Sequence, residues 1–171
     1  MFSDPVKNLR ALGLREDYIV ADLGAGTGFY SVAAGHIVTR GKVYAVEVQK
    51  DYLETIKNKA KEVFLHNVEI IWGNIEKLGG SKIGDEIVHA VIASNVFSQL
   101  EVKDIFVDEV KRILKPRGQV LFVDLMPDSI ISSRGAVAKA KVRELFEKKG
   151  FVFGRDIDVG AHHYGMILTK Q

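Results

Sequence analysis

The chain predicts an α/β fold: a doubly wound, mostly parallel seven-stranded sheet with helices on both faces and a C-terminal antiparallel hairpin. Three features of the 171 residues carry that expectation. Short, near-continuous apolar runs alternate with longer segments whose apolar residues recur at helical spacing, as in strands buried on both faces and the helices that cover them. The first run leads at once into glycines at 24, 26 and 28, a bend from strand to helix. The last two runs have little but a turn region between them, which suits a hairpin.

Pro5 to about Gly13 is expected to form a short helix. Asp4 caps it, Pro5 suits its first turn, Gly13 ends it, and Val6, Leu9 and Leu12 or Leu14 make its apolar stripe. Tyr18–Leu23 reads as the first strand, a helix follows from about Gly28 to Val38, and Lys42–Glu47 is the second strand. Asp51–Phe64 is helical, with Tyr52, Ile56, Ala60 and Val63 or Phe64 on one face and lysines opposite. Val68–Trp72 and Ala90–Ala93 are the third and fourth strands. Val102–Leu114 is a helix stopped by Pro116, since proline disfavours helical geometry in the residue before it. Gln119–Val123 is the fifth strand, Gly135–Lys149 a helix ended by Gly150, and Phe151–Phe153 with Gly165–Leu168 the closing hairpin. This length predicts one domain, residues 1–171, with residues 1–15 as an N-terminal helical segment.

Composition narrows the function. Lys and Arg number 24 against 22 Asp and Glu, a net charge of +2, which does not indicate an electrostatic nucleic-acid binder. The absence of cysteine excludes disulfides, thiolate metal sites and a Cys nucleophile. No run approaches the roughly 18 apolar residues of a spanning helix, and residues 1–8 lack the basic start and apolar core of a secretory signal. A cytoplasmic protein with no membrane partner is the expectation. His36, His66 and His89 have no metal-ligand spacing and read as surface or packing histidines, so no metal site is expected. Lys57–Lys61 reads as a solvated helix face.

The strongest chemical signal is Asp22-Leu-Gly24-Ala-Gly26-Thr-Gly28, leaving a buried strand and entering a helix. Such a loop brings backbone close to a ligand and turns free helix N–H groups toward it. A dinucleotide fingerprint counted from Gly24 would need glycine where Phe29 stands, and the Gly-Lys-Ser/Thr of a phosphate-cradling loop is missing, so NAD and ATP are disfavoured. Glu47 ends the second strand, where a carboxylate can accept both hydroxyls of a ribose.

In order along the chain, Asp22–Gly28, Val43–Glu47, Gly73–Lys77, Ala93–Val96 and Arg112–Val120 resemble the motifs of class I (Rossmann-like) S-adenosylmethionine-dependent methyltransferases. The resemblance implies S-adenosyl-L-methionine as cofactor. It implies that Gly24, Gly26 and Gly28 pass under the methionine part, that Asp22 holds its ammonium, and that Glu47 binds the ribose. Asn74 with Ile75 would meet the adenine, and Ser94 with Asn95 would line the methionine end and the substrate entrance. The family usually has Asp where this chain has Asn74, and often Gly where it has Arg117.

The implied reaction is in-line displacement of a sulfonium methyl, which chiefly needs alignment and desolvation, with a base only where the nucleophile must lose a proton. The weak candidates for that work are Asp124, at the end of the fifth strand, and His163 and Tyr164 of the His162-His163-Tyr164 cluster; each also has a plain structural reading, and no catalytic residue stands out. Tyr30 either closes over the cofactor or packs in the first turn of its helix. Ser94-Asn95-Val96-Phe97 is not the Asn-Pro-Pro-Tyr type associated with exocyclic amine methylation, and a cysteine-free chain does not resemble thiol-dependent arsenic methyltransferases. Little chain is left for a substrate cap beyond the N-terminus and residues 126–134, so the pocket is expected to be open or closed by a second copy in a homo-oligomer. The acceptor is expected to be a small molecule; the alternatives are a protein or RNA acceptor, or a non-catalytic module that only binds the cofactor.

Overall fold

The computed structural model describes residues 4–128 and 135–171. The elements follow the chain as α1 (Pro5–Leu12), β1 (Ile19–Leu23), α2 (Phe29–Ile37), β2 (Lys42–Glu47), α3 (Lys50–Glu62), β3 (Val68–Trp72), β4 (Val88–Ser94), a short 3-10 turn (Phe97–Gln99), α4 (Lys103–Ile113), β5 (Leu114–Leu125), α5 (Lys139–Lys148), β6 (Phe151–Ile157) and β7 (His163–Lys170). The strands form one sheet in the order β3-β2-β1-β4-β5-β7-β6. β1 to β5 pair in parallel, and β7 lies antiparallel between β5 and β6. Strand order reverses between β1 and β4, so the crevice beyond their carboxyl ends is where a ligand site is expected.

Inward residues alternate between two layers. Ala21, Leu23, Val91, Ala93, Val120 and Phe122 pack with α4 and α5, while Val20, Ala90, Ile92, Leu121 and Val123 pack with α1 and α2. The opening helix is built as expected: Asp4 accepts from the N–H groups of Val6 and Lys7 at 2.9 and 3.2 Å, and Gly13 takes a left-handed φ of 76°.

Some boundaries differ from the sequence reading. The helix expected from Gly135 begins at Lys139, because Gly135 holds a φ of 106°, outside helical geometry, where a β-carbon would run into the Ser98 carbonyl. α3 stops at Glu62; only Ile56 and Ala60 of its expected stripe are buried, and Phe64 sits at a φ of 57° and is 81% exposed. β5 begins at Leu114, directly out of α4: Leu114 pairs with Val88 and Gln119 with Ala90, so Lys115–Gly118 bulge out between them. Arg117 takes a φ of 63° there, the conformation for which the resembling family often has glycine. Residues 129–134, part of the expected cap, lie outside the described residues.

Candidate active site

At the carboxyl ends of β1, β2 and β4 lies a cavity of about 520 Å³, within the range of small-molecule sites. The three glycines of its loop act differently. The Gly24 and Ala25 N–H groups bond the Val46 carbonyl at 2.9 and 3.0 Å, pinning the loop across β2. Gly24 has a φ of 74°, and a β-carbon there would overlap Val96. Gly26, at a φ of 53°, faces open space and lines the cavity. Gly28 does not line it; at a φ of 82° it precedes the first residue of α2 and leaves room for Ile56. Lys57 and Lys61 of the run read as a solvated face are exposed, and Lys59 between them reaches the Thr27 carbonyl at 2.9 Å.

Two acids meet the loop. Glu47 is 7% exposed; its Oε1 accepts from Val48 and Gln49 N–H at 2.8 and 2.9 Å, and its Oε2 from Gly26 N–H at 2.9 Å. The carboxylate is thereby oriented toward the cavity by backbone alone. Asp22 is fully enclosed and accepts from the Ser31 hydroxyl at 2.6 Å. Burial pushes its carboxyl up to about 6, against the hydrogen bonds from Ser31 and with the nearby Glu47 charge adding to the rise.

After β3, Asn74 and Ile75 form another wall. Asn74 Oδ1 accepts from Glu76 N–H at 2.9 Å, which leaves its amide NH₂ as the group to offer a ligand. Glu76 also lines the cavity, and its carboxylate accepts the Val102 N–H at 2.8 Å where α4 begins, tying this wall to the one after β4. There, Ser94 and Asn95 line the cavity; Asn95 sits at a φ of 53°, braced by Gln99 Nε2 on its carbonyl at 2.7 Å.

Asp124, His163 and Tyr164 do not line this cavity. Asp124 is buried and accepts from Ser98 and Leu125 N–H at 3.2 and 2.8 Å, and burial pushes its carboxyl up. The Tyr164 hydroxyl donates to the Val137 carbonyl at 2.8 Å while its ring stacks on Phe122; burial raises this phenol and lowers the His163 imidazole. Asp124 and Tyr164 thus brace the turns around the site. His89 lies at the far end of the sheet, accepting from Ile19 N–H at 2.9 Å and stacking on Tyr18. No cluster of metal-ligating side chains occurs among the described residues.

Residues that the sequence did not assign to the site also line it, among them Phe29, Gln49, Tyr52, Glu76, Gln99 and Leu100. Gln49 and Tyr52 closely follow Glu47, and that proximity to a strand-end acid is the signal available for them. Tyr30 both packs and lines: it is 4% exposed, and its hydroxyl accepts from Asn8 Nδ2 at 2.7 Å. An oriented acid for a ribose, a buried acid for an ammonium and an amide for a purine, around a loop whose glycine leaves open space, fit an adenosyl sulfonium amino acid.

Comparison with known proteins agrees. Residues 14–164 match the family model described as a methyltransferase domain. Over 134 residues the chain is 31% identical to a probable cobalt-precorrin-6B C(15)-methyltransferase (decarboxylating) of Sulfolobus acidocaldarius, covering 75% of this chain and 67% of that one. It is 30% identical over 115 residues to a malonyl-[acyl-carrier protein] O-methyltransferase of Halalkalibacterium halodurans, covering 67% of this chain but only 41% of that longer relative. Among solved structures, an S-adenosylmethionine-dependent methyltransferase from Aquifex aeolicus superposes with a TM-score of 0.89 at 27% identity, over 98% of this chain and 90% of that one. No helix among the described residues is long and apolar enough to cross a membrane. Because the family match runs unbroken through the glycine loop, Glu47 and the end of β4, the chain belongs to the methyltransferase-domain family and is an S-adenosylmethionine-dependent methyltransferase.

Proposed function

We propose that this methyltransferase acts on a small-molecule acceptor that enters beside the end of β4. The cofactor, when bound, supplies an electrophilic sulfonium methyl group. Asp22 receives its ammonium, Glu47 its ribose hydroxyls, and Asn74 with Ile75 its adenine. Apolar Ile75, Val96 and Leu100 help exclude water from the cavity they line. Ser94, Asn95 and Gln99 offer neutral polar groups to orient an acceptor.

The observation that carries this reading is the concave cavity of about 520 Å³ at the ends of β1, β2 and β4, a volume in the range of small-molecule sites. The small acceptors in the relatives' names, a precorrin and a malonyl group on a carrier protein, support the same class. The test is incubation with methyl-labelled cofactor and the small-molecule, protein and RNA fractions of a cell extract. Label is expected in the small-molecule fraction and is expected to vanish with Glu47→Ala. Label in protein or RNA would overturn the acceptor class. Tight binding of S-adenosylhomocysteine with no label anywhere would mark a binding module instead.

A further inference from the structure

The wall of the cavity after β4 is held from outside the cavity. Asn95 stands at a φ of 53° and lines the cavity with Val96, Gln99 and Leu100. A residue other than glycine keeps that conformation when its surroundings fix it. Within the wall, Gln99 Nε2 donates to the Asn95 carbonyl at 2.7 Å, and the Gln99 N–H donates to the Val96 carbonyl at 3.0 Å. Further hold comes from the end of β5. The Asn95 N–H donates to the Val123 carbonyl at 2.8 Å, and the Ser98 N–H donates to Asp124 Oδ2 at 3.2 Å. The Phe97 N–H also reaches this carboxylate. Residues 95–98 therefore hang on Val123 and Asp124.

Asp124 is set up for this hold. It is 1% exposed, and its Oδ1 accepts the N–H of its neighbour Leu125 at 2.8 Å, which turns Oδ2 toward the turn. Burial pushes its carboxyl up, and the bonds from Leu125 and Ser98, with the His163 imidazole nearby, work against that rise. A buried carboxylate is costly unless donors meet it, and here the donors are backbone groups of the cavity wall. Phe122, on the same strand, meets the Phe97 ring edge-on at 5.3 Å, so β5 grips the turn by an apolar contact as well as a polar one. On the other side, even a β-carbon at Gly135 would run into the Ser98 carbonyl, so the turn has no room to shift that way.

We propose that Asp124 is the positioning residue of the acceptor side: by holding the turn at Phe97 and Ser98 it fixes Asn95 and Gln99 in the poses that orient the methyl acceptor, while itself touching neither acceptor nor cofactor. The inference rests on the reading that a small acceptor enters beside the end of β4. Asp124→Asn keeps the shape but turns an NH₂ against one of the N–H donors. Transfer from methyl-labelled cofactor is measured over a dilution series of the small-molecule fraction of a cell extract, and S-adenosylhomocysteine affinity by calorimetry. The variant is expected to need about tenfold more of the fraction for half-maximal transfer, the scale of a hydrogen bond to a charged group. Its S-adenosylhomocysteine affinity is expected to hold, because Asp22, Glu47 and Asn74 stand at the ends of other strands. Amide hydrogen exchange over residues 95–99 is expected to quicken by a similar factor. An equal loss of S-adenosylhomocysteine affinity would mark a general loosening and overturn the proposal, as would unchanged half-saturation or unchanged exchange over 95–99. If the variant does not fold, the Ser98 amide resonance decides. It is expected to move as the carboxyl titrates, with a midpoint above 3.8, and a resonance that ignores that titration overturns the hold. His163 and Tyr164 are the titratable groups that face Asp124 from β7, so the resonance is followed in His163→Gln, where no imidazole contributes at that position. No label from the wild type in the small-molecule fraction would overturn the acceptor reading and with it the acceptor-side role, while exchange over 95–99 still reports whether Asp124 holds the turn.

Discussion

Glu47 accepts three backbone N–H groups and keeps lone-pair capacity for a ligand, so its charge and its two-oxygen geometry both matter. Glu47→Gln would turn an NH₂ against at least one of those donors, and S-adenosylhomocysteine affinity is expected to fall at least ~tenfold in a calorimetric titration. Asp22 behaves differently. Its folded value of about 6 lies above the ordinary 3.8, so the folded chain holds this proton more tightly than the unfolded chain. Its contribution to stability therefore rises as pH falls from about 7 through 6 toward 3.8, and the charged form costs stability above that window. A bound ammonium reverses the preference: S-adenosylhomocysteine affinity is expected to rise with pH through about 6, while 5′-methylthioadenosine, with no ammonium, shows no such rise. Asp22→Asn can still accept from Ser31, so it is expected to raise the thermal midpoint while weakening S-adenosylhomocysteine binding. The types of these two acids, and their places at strand ends, were legible in the sequence. The three donors on Glu47 and the enclosure of Asp22 were not, because both depend on how the glycine loop folds back onto β2.

α4 and the loop after β3 are joined by a buried clasp that no sequence pattern revealed. Glu109, fully buried, accepts from Gly79 N–H at 2.7 Å, Ser81 N–H at 3.0 Å and the Arg112 guanidinium, which also reaches the Ile83 carbonyl at 2.8 Å. The loop so held returns to the site, where the Gly80 carbonyl accepts from Asn74 N–H at 3.1 Å. Burial alone would raise the Glu109 carboxyl, but the bonds from Arg112, Ser81 and Gly79 outweigh it and hold it at about 2. A depressed folded value stabilises above the ordinary 4.5, and that share is lost as pH falls toward 2. Glu109→Gln leaves Arg112 without its buried partner and is expected to lower unfolding free energy by about 3 kcal/mol, measured by urea denaturation. The pattern of apolar residues marked α4 itself, since Phe106, Val107, Val110 and Ile113 recur on one face. A polar residue on that same buried face carries no such period.

Across the whole molecule, aromatic packing links the site to the C-terminal strands. Phe122 on β5 meets Phe97, in the turn beside the cavity, at 5.3 Å, Phe146 of α5 at 5.8 Å and Tyr164 of β7 at 6.1 Å. Phe122→Ala removes the shared centre of this cluster and is expected to destabilise the protein by about 4 kcal/mol, read from the denaturant midpoint. Tyr164 belongs to this cluster, and it and Asp124 sit at strand ends by sequence yet brace turns from outside the cavity. Element order, most element boundaries, the glycine bend and the acid that faces it follow from local rules: turn chemistry, capping and the period of apolar residues act between near neighbours, so the sequence alone determined them. Strand order was decided only in three dimensions. It sets β4 beside β1 and β7 between β5 and β6, brings Asn8 to Tyr30, and buries Glu109 under a distant loop. Those meetings join residues far apart in the chain, and their energy comes from docking whole elements against one another, which no local period encodes.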